Sequence, residues 1–135
     1  MMKTKFKLIY GRPPFWRILK VFFPEYDPDG TIAVAFGRRI YTNNVIDQSF
    51  TVHEETHLIQ QRYSYIVAVI WWIRYIASKE FRFSQELEAF RRQYKFIKTS
   101  KHYNHKLALE NLGQALASPL YGKICTKHKA MELIK

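Results

Sequence analysis

Cysteine is almost missing from this chain. Cys125 stands alone among 135 residues, which excludes an internal disulfide and any metal site built from several thiolates. A reducing compartment fits that scarcity. Glycine is also scarce, and its five copies form no glycine-rich loop of the kind that cradles phosphate. Long apolar runs are lacking. The most apolar segment, Tyr65 to Ala77, runs for thirteen residues and contains Arg74, whereas a bilayer span needs about 20. It predicts a buried core helix, with an interfacial membrane helix as the alternative. No transmembrane segment is expected. Met1 to Lys5 is basic, but no apolar stretch follows it before Gly11 and Pro13-Pro14, so no signal peptide is expected either.

Acidic residues are few. Eleven Asp and Glu face twenty-two Lys and Arg, a net charge of +11. Such a balance attracts nucleic acid, anionic lipid or an acidic partner. The basic residues are spread along the chain, with clusters at Arg38-Arg39, Arg91-Arg92 and Lys123 to Lys129. No zinc-finger or RNA-recognition signature accompanies them, so a solvated basic surface is the simpler reading. Aromatic residues make up 16% of the chain, which excludes a disordered polymer. The length suits one domain over residues 1–135, able to bury about two-thirds of its unfolded surface.

Lys5 to Tyr10 predicts a first strand, ended by Gly11 and Pro13-Pro14. Phe15 to Phe23 has helical spacing and is stopped by Pro24. Asp27-Pro28-Asp29-Gly30 predicts a turn, and Thr31 to Tyr41 a strand with a bulge at Gly37. Helices dominate afterwards. The order predicts an α+β fold, mainly helical, with a small N-terminal β-sheet on a helical core.

The strongest chemical signal is His53-Glu54-Glu55-Thr56-His57. On a helix, imidazoles four residues apart face the same way and can grip one Zn2+ ion, with Glu54 beside it as a general base. Asn44 is the expected N-cap of that helix. Val45, Val52, Ile59 and Tyr63 fall together on its wheel and predict a core-facing flank next to the imidazoles.

A catalytic zinc needs a third protein ligand. Phe81 to Ile97 predicts a helix whose stripe of Phe83, Leu87, Phe90, Tyr94 and Ile97 faces the core. Glu86 lies roughly 60° from the stripe centre and Glu88 roughly 140°, so Glu86 points inward and Glu88 toward water. A carboxylate at the core edge requires compensation, and a zinc ion supplies it. Glu86 is preferred over Glu88; a surface ion pair with Arg82 is the plainer alternative. His102, His105 and His128 sit among lysines and are expected in solvent. Trp71-Trp72 is expected in the core, and Leu109, Leu112 and Leu116 define a packing stripe on a later helix capped by Asn104.

His-Glu-x-x-His followed on a later helix by Glu resembles the gluzincins, the thermolysin-like metallopeptidases. Glu86-Leu87-Glu88-Ala89 is similar to their Glu-x-x-Ala pattern. More narrowly, the chain resembles small zinc metallopeptidases encoded by phages and prophages. The matching segments are His53 to Gln61, Trp71 to Tyr75, Glu80 to Gln93 and Ser118 to Gly122, within residues 40–135. The resemblance implies a zincin-like helical core and a zinc metallopeptidase acting on a peptide or protein. It implies His53, His57 and Glu86 as metal ligands and Glu54 as the catalytic base, and a cytoplasmic setting in a bacterial host. Phe90 stands where some gluzincins place an Asp that orients a zinc histidine, so that role is expected of another group, Gln61. Tyr121 is a guess for the oxyanion donor, and the strand from Thr31 to Tyr41 a candidate edge for holding an extended peptide. The competing expectation, from charge, is a basic module binding nucleic acid or a membrane surface, with zinc absent or purely structural.

Overall fold

The computed structural model describes residues 5–30 and 32–135. Its fold is α+β and mainly helical. Strands β1 (Lys7–Tyr10), β2 (Val34–Phe36) and β3 (Arg39–Thr42) form a sheet of order β1-β3-β2. β1 runs parallel to β3, with Leu8 opposite Ile40, and β2 runs antiparallel, with Ala35 opposite Ile40. The central strand is buried at Ile40, Tyr41 and Thr42, as is β2 at Val34 and Ala35, while β1 is largely exposed. Helix α1 (Trp16–Phe22) lies between β1 and β2 in the chain.

Gly37 is a turn, not a bulge. The segment read as one strand is a hairpin in which Gly37 and Arg38 connect β2 to β3, and Thr31 lies outside the described residues, as do Met1 to Thr4. Gly37 has φ +64°, and a Cβ there would stand 2.5 Å from the Tyr65 ring. Both backbone sign and space demand glycine. The carboxamide of Gln61 braces this turn from behind, accepting from Gly37 N at 2.7 Å and donating to Ala35 O at 3.1 Å.

Five helices follow: α2 (Gln48–Gln60), α3 (Tyr65–Ala77), α4 (Lys79–Lys98), α5 (His105–Leu116) and α6 (Lys127–Ile134), with a 3₁₀ turn at Pro119–Tyr121. Their starts are chemically marked. Asp47, Ser64, Ser78, Asn104 and Thr126 each accept a hydrogen bond from a first-turn amide, a device worth about 1 kcal/mol per helix. Asp47, three residues later than expected, replaces Asn44 as the cap of α2. Asn44 instead donates its side-chain amide to Gly30 O.

α4 is the longest element and touches α2, α3, α5 and α6. Phe90, Tyr94 and Ile97 join Leu109, Leu112 and Leu116 of α5 and Ala130 and Ile134 of α6 in one apolar cluster. A second cluster joins Leu19 and Phe23 of the α1 region to Trp71 and Tyr75 of α3. A third sets Leu58 of α2 under the sheet residues Ala35 and Ile40.

Two helices depart from the expected faces. The flank of α2 expected in the core is only partly covered: Val52 and Tyr63 are half-buried, Tyr63 against the third cluster, but Val45 precedes the helix and is 90% exposed, and Ile59 is exposed too. The buried side instead carries Ser49, His53, Glu54, Thr56 and His57; α4 offers polar partners to Ser49, His53 and His57, Thr56 bonds back to Val52 O, and Glu54 faces a cavity. α3 is only half a core helix. Ala68, Trp71 and Tyr75 are buried, while Ile66 is 78% and Ile73 62% exposed.

Replacing Gly37 by Ala is expected to cost about 2–4 kcal/mol, the sum of left-handed strain and overpacking against Tyr65. Gly30→Ala, whose new Cβ would meet only the Asp27 side chain at 3.2 Å, is expected to cost under about 1 kcal/mol. Urea denaturation of the two variants checks this ranking.

Candidate metal centre

Two helices crossing at the middle of the molecule build the centre. α2 supplies His53 and His57, one turn apart on its buried side, and α4 supplies Glu86. The carboxylate lies between the rings, with Oε2 3.0 Å from His53 Nε2 and Oε1 3.1 Å from His57 Nε2. One ligating atom from each residue falls within 4.8 Å of the others. All three side chains are buried, at 3–5% exposure. Ala89, fully buried one turn along from Glu86, has only a methyl group and does not hold the helices apart. Glu88 is exposed and reaches only Arg92, at 4.0 Å. Arg82 does not pair with Glu86 either; its guanidinium lies over the rings of Phe23 and Tyr75.

A second layer of side chains sets which ring nitrogens carry protons. Gln60 donates its amide N–H to the carbonyl of Gln85 at 3.0 Å, so its oxygen must face His57 Nδ1, 2.9 Å away. An amide oxygen only accepts, so that Nδ1 is the protonated nitrogen. The other chain starts at Asp47. Its carboxylate takes the Ser49 hydroxyl proton at 3.1 Å, leaving Ser49 Oγ to accept from Gln93 Nε2 at 3.3 Å. Gln93 Oε1 thus faces His53 Nδ1 at 3.0 Å and accepts from it. Both imidazoles are thereby oriented with Nε2 toward the carboxylate. Gln61, expected in this role, has its carboxamide committed to the β2–β3 turn. Gln93 and Gln60 fill it instead. Gln93 lies seven residues after Glu86, two turns along the same face of α4, and that spacing was the available signal.

Charge and burial act on the same few atoms. Burial opposes the charge on Glu86, but the positive field of His57 and hydrogen bonds from both histidines hold its carboxyl far below the usual range. Tyr75 adds a phenol proton to Oε1 at 2.8 Å. Burial likewise disfavours the imidazolium of His57, yet the charge and hydrogen bond of Glu86 outweigh it and raise His57 to about 9. Glu54 differs. Burial dominates there, raising it to about 7 against the opposing field of both histidines, and no hydrogen bond among the described residues stabilises its charge.

Glu54 faces a cavity of about 260 Å³ that also exposes His53, His57 and Glu86. Its walls are mostly apolar, with Leu19 and Phe23 from the α1 region, Val34 from β2 and Trp71 from α3 among them. Trp71 closes one side of the His53, His57 and Glu86 cluster, its ring 5.3 Å from that of His57, while Phe90 lies 4.5 Å from His53. Tyr121 reaches the same cavity from the 3₁₀ turn. Burial and the carboxylates of Glu86 and Glu54 push its phenol well above the ordinary value, so it remains an O–H donor. The other histidines stay outside: His102, His105 and His128 are exposed.

The donor set fits a divalent ion. Two imidazoles with outward Nδ1 protons and one carboxylate without a Lys or Arg partner among the described residues are the ligands such an ion requires. Nothing in the second layer competes for the two Nε2 atoms.

In the chelator-treated protein the titrating groups oppose one another in a defined order. His57, raised from 6.5 to about 9, contributes stability that is fully present below pH 6.5 and lost as pH rises through 9. Glu54, raised from 4.5 to about 7, costs stability as pH rises across that interval. Glu86, lowered from 4.5, contributes above 4.5 and loses its contribution as pH falls. Stability is therefore expected to peak near pH 4.5 to 5, to fall first as Glu54 resists ionising and then further as His57 loses its proton, by several kcal/mol in all toward pH 9. With metal restored, the fall should shrink or vanish, because ligand deprotonation favours binding. Thermal melts with and without chelator across that range check it.

Compared with protein-family models, with curated proteins and with solved structures, the chain matches none.

Proposed function

We propose that this protein is a zinc-dependent hydrolase, most plainly a peptidase, with His53, His57 and Glu86 as ligands and Glu54 as general base. The single observation carrying the reading is the cavity that Glu54 shares with the three ligands. A site meant only for stability has no use for an unpaired carboxyl poised near neutrality beside an accessible cavity.

When bound, zinc supplies Lewis-acid chemistry, polarising a carbonyl and acidifying water. The chain's own residues account for the remaining steps. Glu54, at about 7, is near the value at which one group both takes and returns a proton at neutral pH. It accepts a proton from water as the water oxygen bonds to the substrate carbonyl carbon. It then delivers that proton to the nitrogen as the C–N bond breaks, leaving a carboxylic acid and an amine. Tyr121, held as O–H, donates to the carbonyl oxygen as charge develops there. Trp71 and Phe90 keep bulk water from the ligands. The apolar walls favour substrates that present an apolar group beside the cleaved bond.

The hydrolase reading is tested with a quenched fluorescent peptide library and metal content measured on the same samples. Glu54→Gln should retain the metal and lose at least about 100-fold in kcat. Tyr121→Phe should lose about 10- to 100-fold in kcat with little change in KM. Wild-type rates in a Glu54→Gln preparation would eliminate the hydrolytic assignment.

A further inference from the structure

The two helices that wall the cavity opposite α2 carry a feature the metal centre does not use. Leu19 of α1 packs with Trp71 and Tyr75 of α3, and the residues flanking α1 add ring pairs Phe15–Trp72 at 5.2 Å and Phe23–Tyr75 at 6.0 Å. The outer sides of both helices are also apolar. On α1, Ile18, Val21 and Phe22 are exposed, Val21 at 74%, and on α3 so are Ile66, Ile70 and Ile73. Isolated exposed apolar residues are ordinary, but a run of them on two adjacent helices marks a surface that meets something other than water.

The charged side chains carried by these two helices are all basic; the acid beside them, Asp29, is paired with Arg12 at 2.6 Å. Residues 1–24 contain no Asp or Glu, and neither do residues 56–79. Between them, these stretches hold Arg17, Lys20, Arg62, Arg74 and Lys79, all exposed among the described residues. The nearest acids in the chain, Glu25 and Glu80, come only after each helix has ended or the next has begun. Arg12 and Arg17 stack on the half-buried Trp16, 4.3 and 5.3 Å from its ring. An indole with cations beside it is the pairing that settles at a lipid headgroup boundary. No helix among the described residues is long and apolar enough to cross a membrane, so such a face would lie along the surface.

We propose that the outer face of α1 and α3 docks on an anionic lipid surface, with the isoleucines of α3 and Val21 and Phe22 of α1 entering the headgroup boundary. Charge complementarity selects this occupant. A second copy would bring the same cationic rim against itself at a net charge of +11 per chain, whereas anionic headgroups neutralise the rim while the acyl region receives the apolar arc. A nucleic acid would answer the charge but leave six large apolar side chains against phosphate. The proposal is independent of whether the metal centre hydrolyses anything.

Co-sedimentation of the whole protein with vesicles at physiological salt tests it. Vesicles of phosphatidylcholine with about 30% phosphatidylglycerol should bind the protein, and phosphatidylcholine alone should bind it at least tenfold more weakly. Two variants leave the charge untouched: Ile66→Ser with Ile70→Ser and Ile73→Ser on α3, and Val21→Ser with Phe22→Ser on α1. Each should weaken anionic-vesicle binding at least tenfold with duplex-DNA affinity unchanged. Three outcomes overturn the proposal: no vesicle binding by the wild type; serine variants that bind as the wild type does, leaving only charge attraction; or serine variants that instead split a dimer in sedimentation or lose duplex-DNA affinity. Because the two variants lie on different helices, misfolding of one leaves the other to decide.

Discussion

A carboxylate buried between two imidazoles is the constraint around which this molecule is arranged. Taking Glu86 out of water costs several kcal/mol unless charge and hydrogen bonds answer it, and removing one partner of such a cluster costs about 3–5 kcal/mol. His53, His57 and Tyr75 answer it, at 3.0, 3.1 and 2.8 Å. Those three bonds fix the axial register of α4 against α2 and tie α3 to both. The inversion of α2, polar side inward and Ile59 outward, follows from the same requirement.

From that centre, order propagates outward through groups with a single hydrogen-bonding sense. Asp47 only accepts, so Ser49 donates to it, Gln93 donates to Ser49, and His53 donates to Gln93. The same Asp47 caps α2 and accepts from Tyr103 ahead of α5. One carboxylate therefore starts helix α2 and orients the first histidine of the candidate site. On the other side, Gln85 joins the two walls of the site, its carbonyl holding Gln60 and its side chain holding the Trp71 indole at 2.8 Å.

What was readable in the sequence was whatever depends on local spacing. The four-residue interval between His53 and His57 placed both rings on one face. The phase of Glu86 against the stripe of α4 separated it from Glu88, and the Leu109, Leu112 and Leu116 stripe is buried as its period implied. Position-dependent chemistry at long range was not readable. Gln61 and Gln93 are both glutamines near the ligands in sequence or phase, yet only the path of β2 makes one a turn brace and the other a histidine partner. Gly37 was visible as a break, but whether it kinks one strand or joins two depends on pairing with β3. The apolar run of α3 read as core because composition carries no information about how much of a helix its neighbours cover. Here they cover one face.

The fold thus concentrates its polar burial at one place and surrounds it with aromatic walls, leaving Glu54 to face the cavity. The central claim is that this concentration exists to hold a metal ion. Elemental analysis of the purified chain after exposure to zinc, beside His53→Ala and Glu86→Ala, tests it most directly. The account predicts one zinc per wild-type chain and almost none in either variant. A wild-type chain that takes up no zinc, or variants that retain it in full, would contradict the account.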